Sequence, residues 1–350
     1  MSGSGNKLTD PPKNLKEAID WVLRVSGRDN GHNEAEGIKG LAKELITLLD
    51  KDAGEVARGV LGVMGVNLKK VVGDLKNLDN PTAFFSTFVL RGLIDKVSKS
   101  LQKVTDYGSA AGTAYLEMLR ELLQKDVAGK GHGPIRKFAE GLKTFIGWNG
   151  NAVGQDGLGK QDYKSAYKSE ATWPTQSGEK ETCAYIFIAI LPLVFYFLPY
   201  LYAKCNENGD WNGFNLSTGN LKNFMESEAL GFKGQFETAK NGSDVATLIG
   251  GTCFPEIKSA YESVNPTYGF FIDHYERRSR VLYPINSDSP LLECFAIASP
   301  FFTPKDTYDV QSTNPATPSF TGYSGLTALG GGAYGFNLGG LGTFVSALLA

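Results

Sequence analysis

Gly154 to Lys160 (GQDGLGK) fill the first seven places of a phosphate-binding loop, whose backbone amides and lysine cradle phosphate oxygens. The next place is Gln161, so the hydroxyl that would hold magnesium is missing. No strand pattern precedes the run, and a flexible loop is expected. Gly330 to Gly335 (GGGAYG) meet the glycine spacing of a dinucleotide fingerprint, again without a preceding strand or a following acidic residue. His32, His132 and His274 stand apart. Asp273, His274 and Glu276 could ligate a metal, but Arg277, Arg278 and Arg280 beside them point to a charged surface turn. There is no HExxH, CxxC or GxSxG. The expectation is a chain that is not an enzyme, with no catalytic residues, no cofactor and no metal.

Two residue types remain that covalent chemistry could use. The cysteines Cys183, Cys205, Cys253 and Cys294 all lie in the second half. They are either two disulfides formed in an oxidising compartment or buried thiols. If one helix joins Cys183 to Cys205, its ends are about 33 Å apart, beyond the roughly 7 Å Cα limit for a disulfide. Two connectivities to Cys253 and Cys294 then remain, and only a hairpin bent at Pro192 or Pro199 restores the third. Asn215 (NLS) and Asn241 (NGS) are candidate glycosylation sites wherever that region meets a glycosylating lumen.

Between Cys183 and Ala203 the chain runs 21 residues without a formal charge. As a helix this is about 32 Å, enough to cross a bilayer core. Glu179, Lys180, Glu181 and Lys204 flank it, which favours a transmembrane helix. Pro192, Pro199 and the scattered Tyr185, Tyr196, Tyr200 and Tyr202 favour burial in protein instead.

The elements that would position these groups are mostly helical. Leu15, Ile19, Val22 and Leu23 follow Pro11 and Pro12 at helical spacing, giving a helix from Asn14 to near Gly27. Ile38, Leu41, Leu45 and Leu48 share a stripe in a second helix beginning near Asn33, and a third is expected from Ala53 to Leu75. Phe84 to Val104 keep the helical period, and Tyr115 to Gln124 form a strong helix before the glycine-rich GKGHGP. Pro134 opens the next, with Ile135, Phe138, Leu142 and Phe145. Residues 147–182 are polar and glycine-rich, a linker or surface insertion. A helix is expected from Leu221 to Phe232, and proline density argues against long helices beyond it.

The expected architecture is therefore mainly α, a helical bundle with a glycine- and proline-rich irregular C-terminal part. It divides into a helical region (1–146), the linker or insertion (147–182), a cysteine-containing region (183–320) and a glycine-rich tail (321–350) that reads as truncated. The chain has 350 residues, 42% of them hydrophobic, enough for substantial cores. Its 35 Lys+Arg against 37 Asp+Glu leave a charge of -2, without the basic excess that nucleic-acid binding draws on. The start, MSGSGNKLTDPPKNLKEAIDW, lacks the apolar region of a cleaved secretory signal.

The runs LTDPPKNLKEAIDWVLRVSGRD (Leu8 to Asp29), LAKELITLLDKDAGEVARGVLGVMG (Leu41 to Gly65) and GPIRKFAEGLKTFIGW (Gly133 to Trp148) carry a family likeness. So do the cysteine-bounded apolar stretch ending LYAKC and the segment FFTPKDTYDVQSTNPATPS. Together they resemble, in order over most of residues 8–319, the variant erythrocyte surface antigens of Babesia, in particular the N-terminal region of beta-subunit-like members. The resemblance implies a protein of antigenic variation and cytoadhesion at the surface membrane of infected host erythrocytes, exported without a standard signal and without enzymatic activity. It also implies a possible second antigen subunit, a host endothelial receptor, and a membrane attachment through this chain or a missing C-terminal anchor. With the family's usual anchor farther along, a buried helix bounded by disulfide cysteines becomes more plausible for Cys183 to Ala203. The alternative reading is a helical integral membrane protein of another class, such as a transporter component, and a nucleotide-binding enzyme comes third.

Overall fold

The computed structural model describes residues 7–29, 36–51, short pieces between 55 and 63, 110–129, 133–148, 156–206 without 169, 211–258 without 228, 229 and 256, and residue 294. Among the described residues the protein is mainly α, with isolated β-bridges in place of strands. The expected helix from Ala53 to Leu75 is described only in short helical pieces between 55 and 63, and the expected run from Phe84 to Val104 and the glycine-rich tail lie outside the described residues.

Helix α1 (Leu15–Val25) begins where Asn14, in extended conformation, accepts the Glu17 amide on its side chain at 2.9 Å. That bond satisfies one of the amides a helix start leaves unpaired. The helix ends at Ser26, and Gly27 follows at φ 66, a left-handed conformation that glycine adopts without strain. Helix α2 (Glu36–Leu49) packs Ile38, Leu41, Leu45 and Leu48 inward, the stripe its sequence displays. Helix α3 is Ala110–Val127 and packs on α2.

Helix α4 (Pro134–Ile146) opens with proline at its first position, where no amide donor is needed. It closes on Gly147 at φ 81, whose amide returns to the Lys143 and Thr144 carbonyls. Its buried face is Ile135, Phe138, Leu142 and Phe145. Helix α6 (Gly219–Met225) is shorter than the expected Leu221 to Phe232. The chain turns at Glu226, and Gly231 at φ 74 comes so close to the Asn14 side chain that no Cβ would fit. Helix α7 (Gly242–Ala246) continues directly into a π-helical turn, Thr247–Cys253.

The organising element is α5 (Ser177–Asn206), a continuous 30-residue helix whose backbone passes through Pro192 and Pro199. It packs against α1, α2, α7 and the π-helical turn. Every residue from Cys183 to Leu191 is buried, so the helix is enclosed on all sides and not along one stripe. A helix apolar all round belongs inside either a membrane or a protein core, and here the core supplies the surroundings. Phe187 sits between Trp21 of α1 and Phe138 of α4, with ring centroids 6.4 and 6.5 Å away. Phe138 in turn meets Phe254 at 6.2 Å.

This corrects the expected membrane span. Among the described residues no helix is long and apolar enough to cross a membrane. The apolar run from Cys183 to Ala203 reflects burial against neighbouring helices, with α1, α2 and α7 where lipid was expected. The transmembrane helix, and membrane attachment through this segment, are withdrawn.

Candidate functional site

The densest cluster of chemically capable side chains in the described residues lies on one face of α1. Lys16, Asp20 and Arg24 fall at i, i+4 and i+8, so helical geometry stacks them in a row. All three are buried, which is costly unless each charge is paired and hydrogen-bonded. The partners come from residues 156–173, which cross this face as a strap.

Asp20 is the hub. Its Oδ2 lies 2.5 Å from the Lys16 ammonium and accepts the Ala166 amide at 2.8 Å. Its Oδ1 accepts the Tyr163 hydroxyl at 2.7 Å. Lys16 also donates to the Lys164 carbonyl at 2.7 Å and stands 4.7 Å from the centre of the Tyr163 ring, where the ring's negative face attracts it. Trp148 meets the same ring edge-on at 6.0 Å. Arg24 donates to the Tyr167 carbonyl at 2.9 Å and pairs with Asp29 at 2.9 Å. The Tyr167 hydroxyl donates to the Asp10 carbonyl at 3.2 Å.

Burial, and then the neighbouring Asp20 charge, pushes the Tyr163 hydroxyl well above its ordinary range. Tyr167 moves the same way, mainly through burial, and both phenols remain protonated donors. The carboxylate at the hub is held by an ammonium, a phenol and an amide, with the three groups enclosed. Such an arrangement fixes the strap to α1; it offers no open face for a substrate.

Residues 156–160 of the near-match to a phosphate-binding loop form the start of this strap. Leu158 and Gly159 donate their amides to the Phe145 and Ile146 carbonyls at 2.9 and 3.0 Å, and Lys160 donates its own to the Gln235 carbonyl at 3.2 Å. Two of these amides thus satisfy the last carbonyls of α4. Leu158 is fully buried and Gly157 lies on Gly147 with no room for a Cβ. The expected flexible loop is a docked turn, and the Lys160 ammonium lies 3.4 Å from Asp162.

A second polar group ties the start of α5 to the end of α2. Glu181 accepts the Tyr185 hydroxyl and lies 2.9 Å from the Lys51 ammonium, which also reaches Glu55 at 3.2 Å. The Tyr185 hydrogen bond first, and Lys51 second, hold the Glu181 carboxyl below its usual range. Glu44 is shifted up, chiefly by burial.

Sequence patterns did not single out Asp126. This buried carboxylate near the end of α3 accepts the Ile135 amide at 2.9 Å and the Arg136 amide at 3.2 Å, the first amides of α4. Gly133, at the N-cap, has no side chain to do this. A Cβ there would collide with Asp126 itself. Burial pushes the Asp126 carboxyl up to about 6 against the opposing pull of those two amides, Arg136 and Lys137. The only available signal was an aspartate seven residues before an uncapped helix start.

All four candidate cysteines are buried thiols, with none joined in a disulfide. Cys183 donates to the Leu8 carbonyl at 3.6 Å and Cys294 to the Pro134 carbonyl at 3.2 Å. Because α5 is continuous, Cys183 and Cys205 lie at opposite ends of about 33 Å of helix. Both candidate glycosylation asparagines have local structural duties. Asn215 Oδ1 accepts the Ser217 and Thr218 amides at 3.0 and 2.9 Å. Asn241 forms a reciprocal capping box with Asp244 at the start of α7.

His32, His132, His274, Asp273, Glu276 and Gly330 to Gly335 lie outside the described residues. Among the described residues no cluster of three His, Cys, Asp or Glu could hold a metal ion. Comparison with protein-family models, with curated proteins and with solved structures finds no match to this chain.

Proposed function

We propose that this chain is the helical-bundle scaffold of a variant surface antigen, displayed by infected erythrocytes and acting in antigenic variation and cytoadhesion without enzymatic chemistry. The observation that carries this reading is the ordered resemblance of Leu8 to Asp29, Leu41 to Gly65, Gly133 to Trp148 and the cysteine-bounded segment to the Babesia family. The place of those segments in the fold supports it. They supply α1, α4, α5 and the later part of α2, so the likeness falls on core helices. A scaffold of this kind keeps its core while loops vary.

The buried seam on α1 fits the same role, since its charges are engaged in holding the strap. The transporter alternative rested on the apolar segment and loses its motivation with the span. The test is surface labelling. Antibodies raised against the purified chain are applied to intact infected erythrocytes and, separately, to permeabilised cells. Labelling of intact cells that disappears after external protease is the expected result. Labelling confined to permeabilised cells overturns the proposal.

A further inference from the structure

We infer that this domain completes its fold in a reducing compartment, with Cys183 and Cys294 serving as structural S–H donors rather than halves of disulfides. The inference stands on the thiol geometry and not on the surface-display proposal. Leu8 is the anchor of the N-terminal segment, and its carbonyl accepts two donors at once. One is the Trp21 indole N–H at 2.8 Å, from α1; the other is the Cys183 thiol at 3.6 Å, from α5. The Cys183 thiol therefore helps hold the segment before α1 against the central helix. Cys294 does the equivalent for α4, donating at 3.2 Å to the carbonyl of Pro134, the first residue of that helix.

A disulfide at either position would remove the S–H that makes the bond. It would also require a partner Cα within about 7 Å, which the length of α5 forbids between Cys183 and Cys205. Both thiols are fully buried, and burial pushes the Cys183 thiol up to about 12. The thiolate that starts disulfide exchange is then scarce and shielded. Four buried thiols, two of them used as donors in this way, suit a compartment that keeps thiols reduced during folding. Once folded, the enclosure lets the same thiols persist in oxidising surroundings.

The experiment uses the full chain, purified in air without reductant. One portion is incubated natively with oxidised glutathione, then unfolded in guanidinium chloride with iodoacetamide, and its intact mass is measured. Four alkylated cysteines, together with a melting temperature unchanged by dithiothreitol, are the expected results. Two or no alkylated cysteines, or a melting temperature that falls on reduction, overturn the inference. Because the readout is made on purified protein, its failure is separate from any failure of surface labelling.

Discussion

The hydroxyl of Tyr163 donates to Oδ1 of Asp20 at 2.7 Å, a bond between residues 143 positions apart in the chain. It closes a buried group in which one carboxylate answers an ammonium, a phenol and a backbone amide. Tyr163→Phe removes a hydrogen bond to a charged acceptor while keeping the ring under Lys16. The expected loss is about 1.5–3 kcal/mol in urea unfolding.

Asp20→Ala leaves the Lys16 ammonium enclosed without its carboxylate. It should cost more, about 3–5 kcal/mol, because an uncompensated buried charge is worse than a missing pair. In a double-mutant cycle with Lys16→Met, the second substitution should recover part of that loss. Simple additivity of the two would show that the pair is not coupled.

Asp126 gives stability a pH dependence whose sign is fixed by the direction of its shift. Its carboxyl is pushed up to about 6 when folded, against an ordinary value of 3.8 when unfolded, so the folded chain binds the proton more tightly. Its contribution is fully present below pH 4, declines as pH rises through 6, and is level above 7. The full difference corresponds to about 3 kcal/mol. Measured as wild type minus Asp126→Asn by denaturant unfolding across pH 4 to 8, stability should fall with rising pH. A rise over that window would contradict the burial-dominated shift.

Phe187→Ala tests whether α5 is a protein core. The ring is fully buried between Trp21 and Phe138, and its removal leaves a cavity that three helices line. The expected loss is about 3–5 kcal/mol, with one cooperative transition retained. A cost under about 1 kcal/mol would mean that the helix is not held among these neighbours.

Gly147→Ala tests the exit from α4. The backbone there has φ 81, and Gly157 of the strap lies directly over it. Left-handed strain alone costs about 1 kcal/mol, so Gly147→Ala should lose about that much, and Gly157→Ala, whose Cβ would fall on the Gly147 backbone, should lose more. Thermal unfolding of these variants beside Gly129→Ala, at φ 67 with open space around it, separates strain from contact.

Much of the helical framework was legible in the residues themselves. Asn14 as a cap, Pro134 as a first residue and the Ile38, Leu41, Leu45, Leu48 stripe each follow from local rules, and α1, α2 and α4 lie close to where those rules put them. The apolar run misled because hydropathy cannot distinguish lipid from protein as the surroundings of an apolar helix. The seam was illegible for another reason. Lys16, Asp20 and Arg24 at i, i+4 spacing look like an ordinary solvated face, and only contact with Tyr163, Ala166 and Tyr167 makes them a buried one. The same non-local dependence hid Asp126, whose partners lie across a turn. The glycine-rich 156–160 suggested looseness, yet small residues there permit close docking on Gly147.

The strap also sets an order of events at the ribosome. The Lys16 amide donates to the Leu230 carbonyl, and the strap itself is tied back by Glu237, whose amide donates to the Leu158 carbonyl at 2.7 Å. Helix α1 thus gains this last backbone bond only after Leu230, 214 residues beyond Lys16, has been synthesised. At about 5–20 residues per second, that is a delay on the order of 10–40 s. Helix α1 is therefore secured in stages, the strap's bonds to Asp20 becoming available before the backbone bond to Leu230.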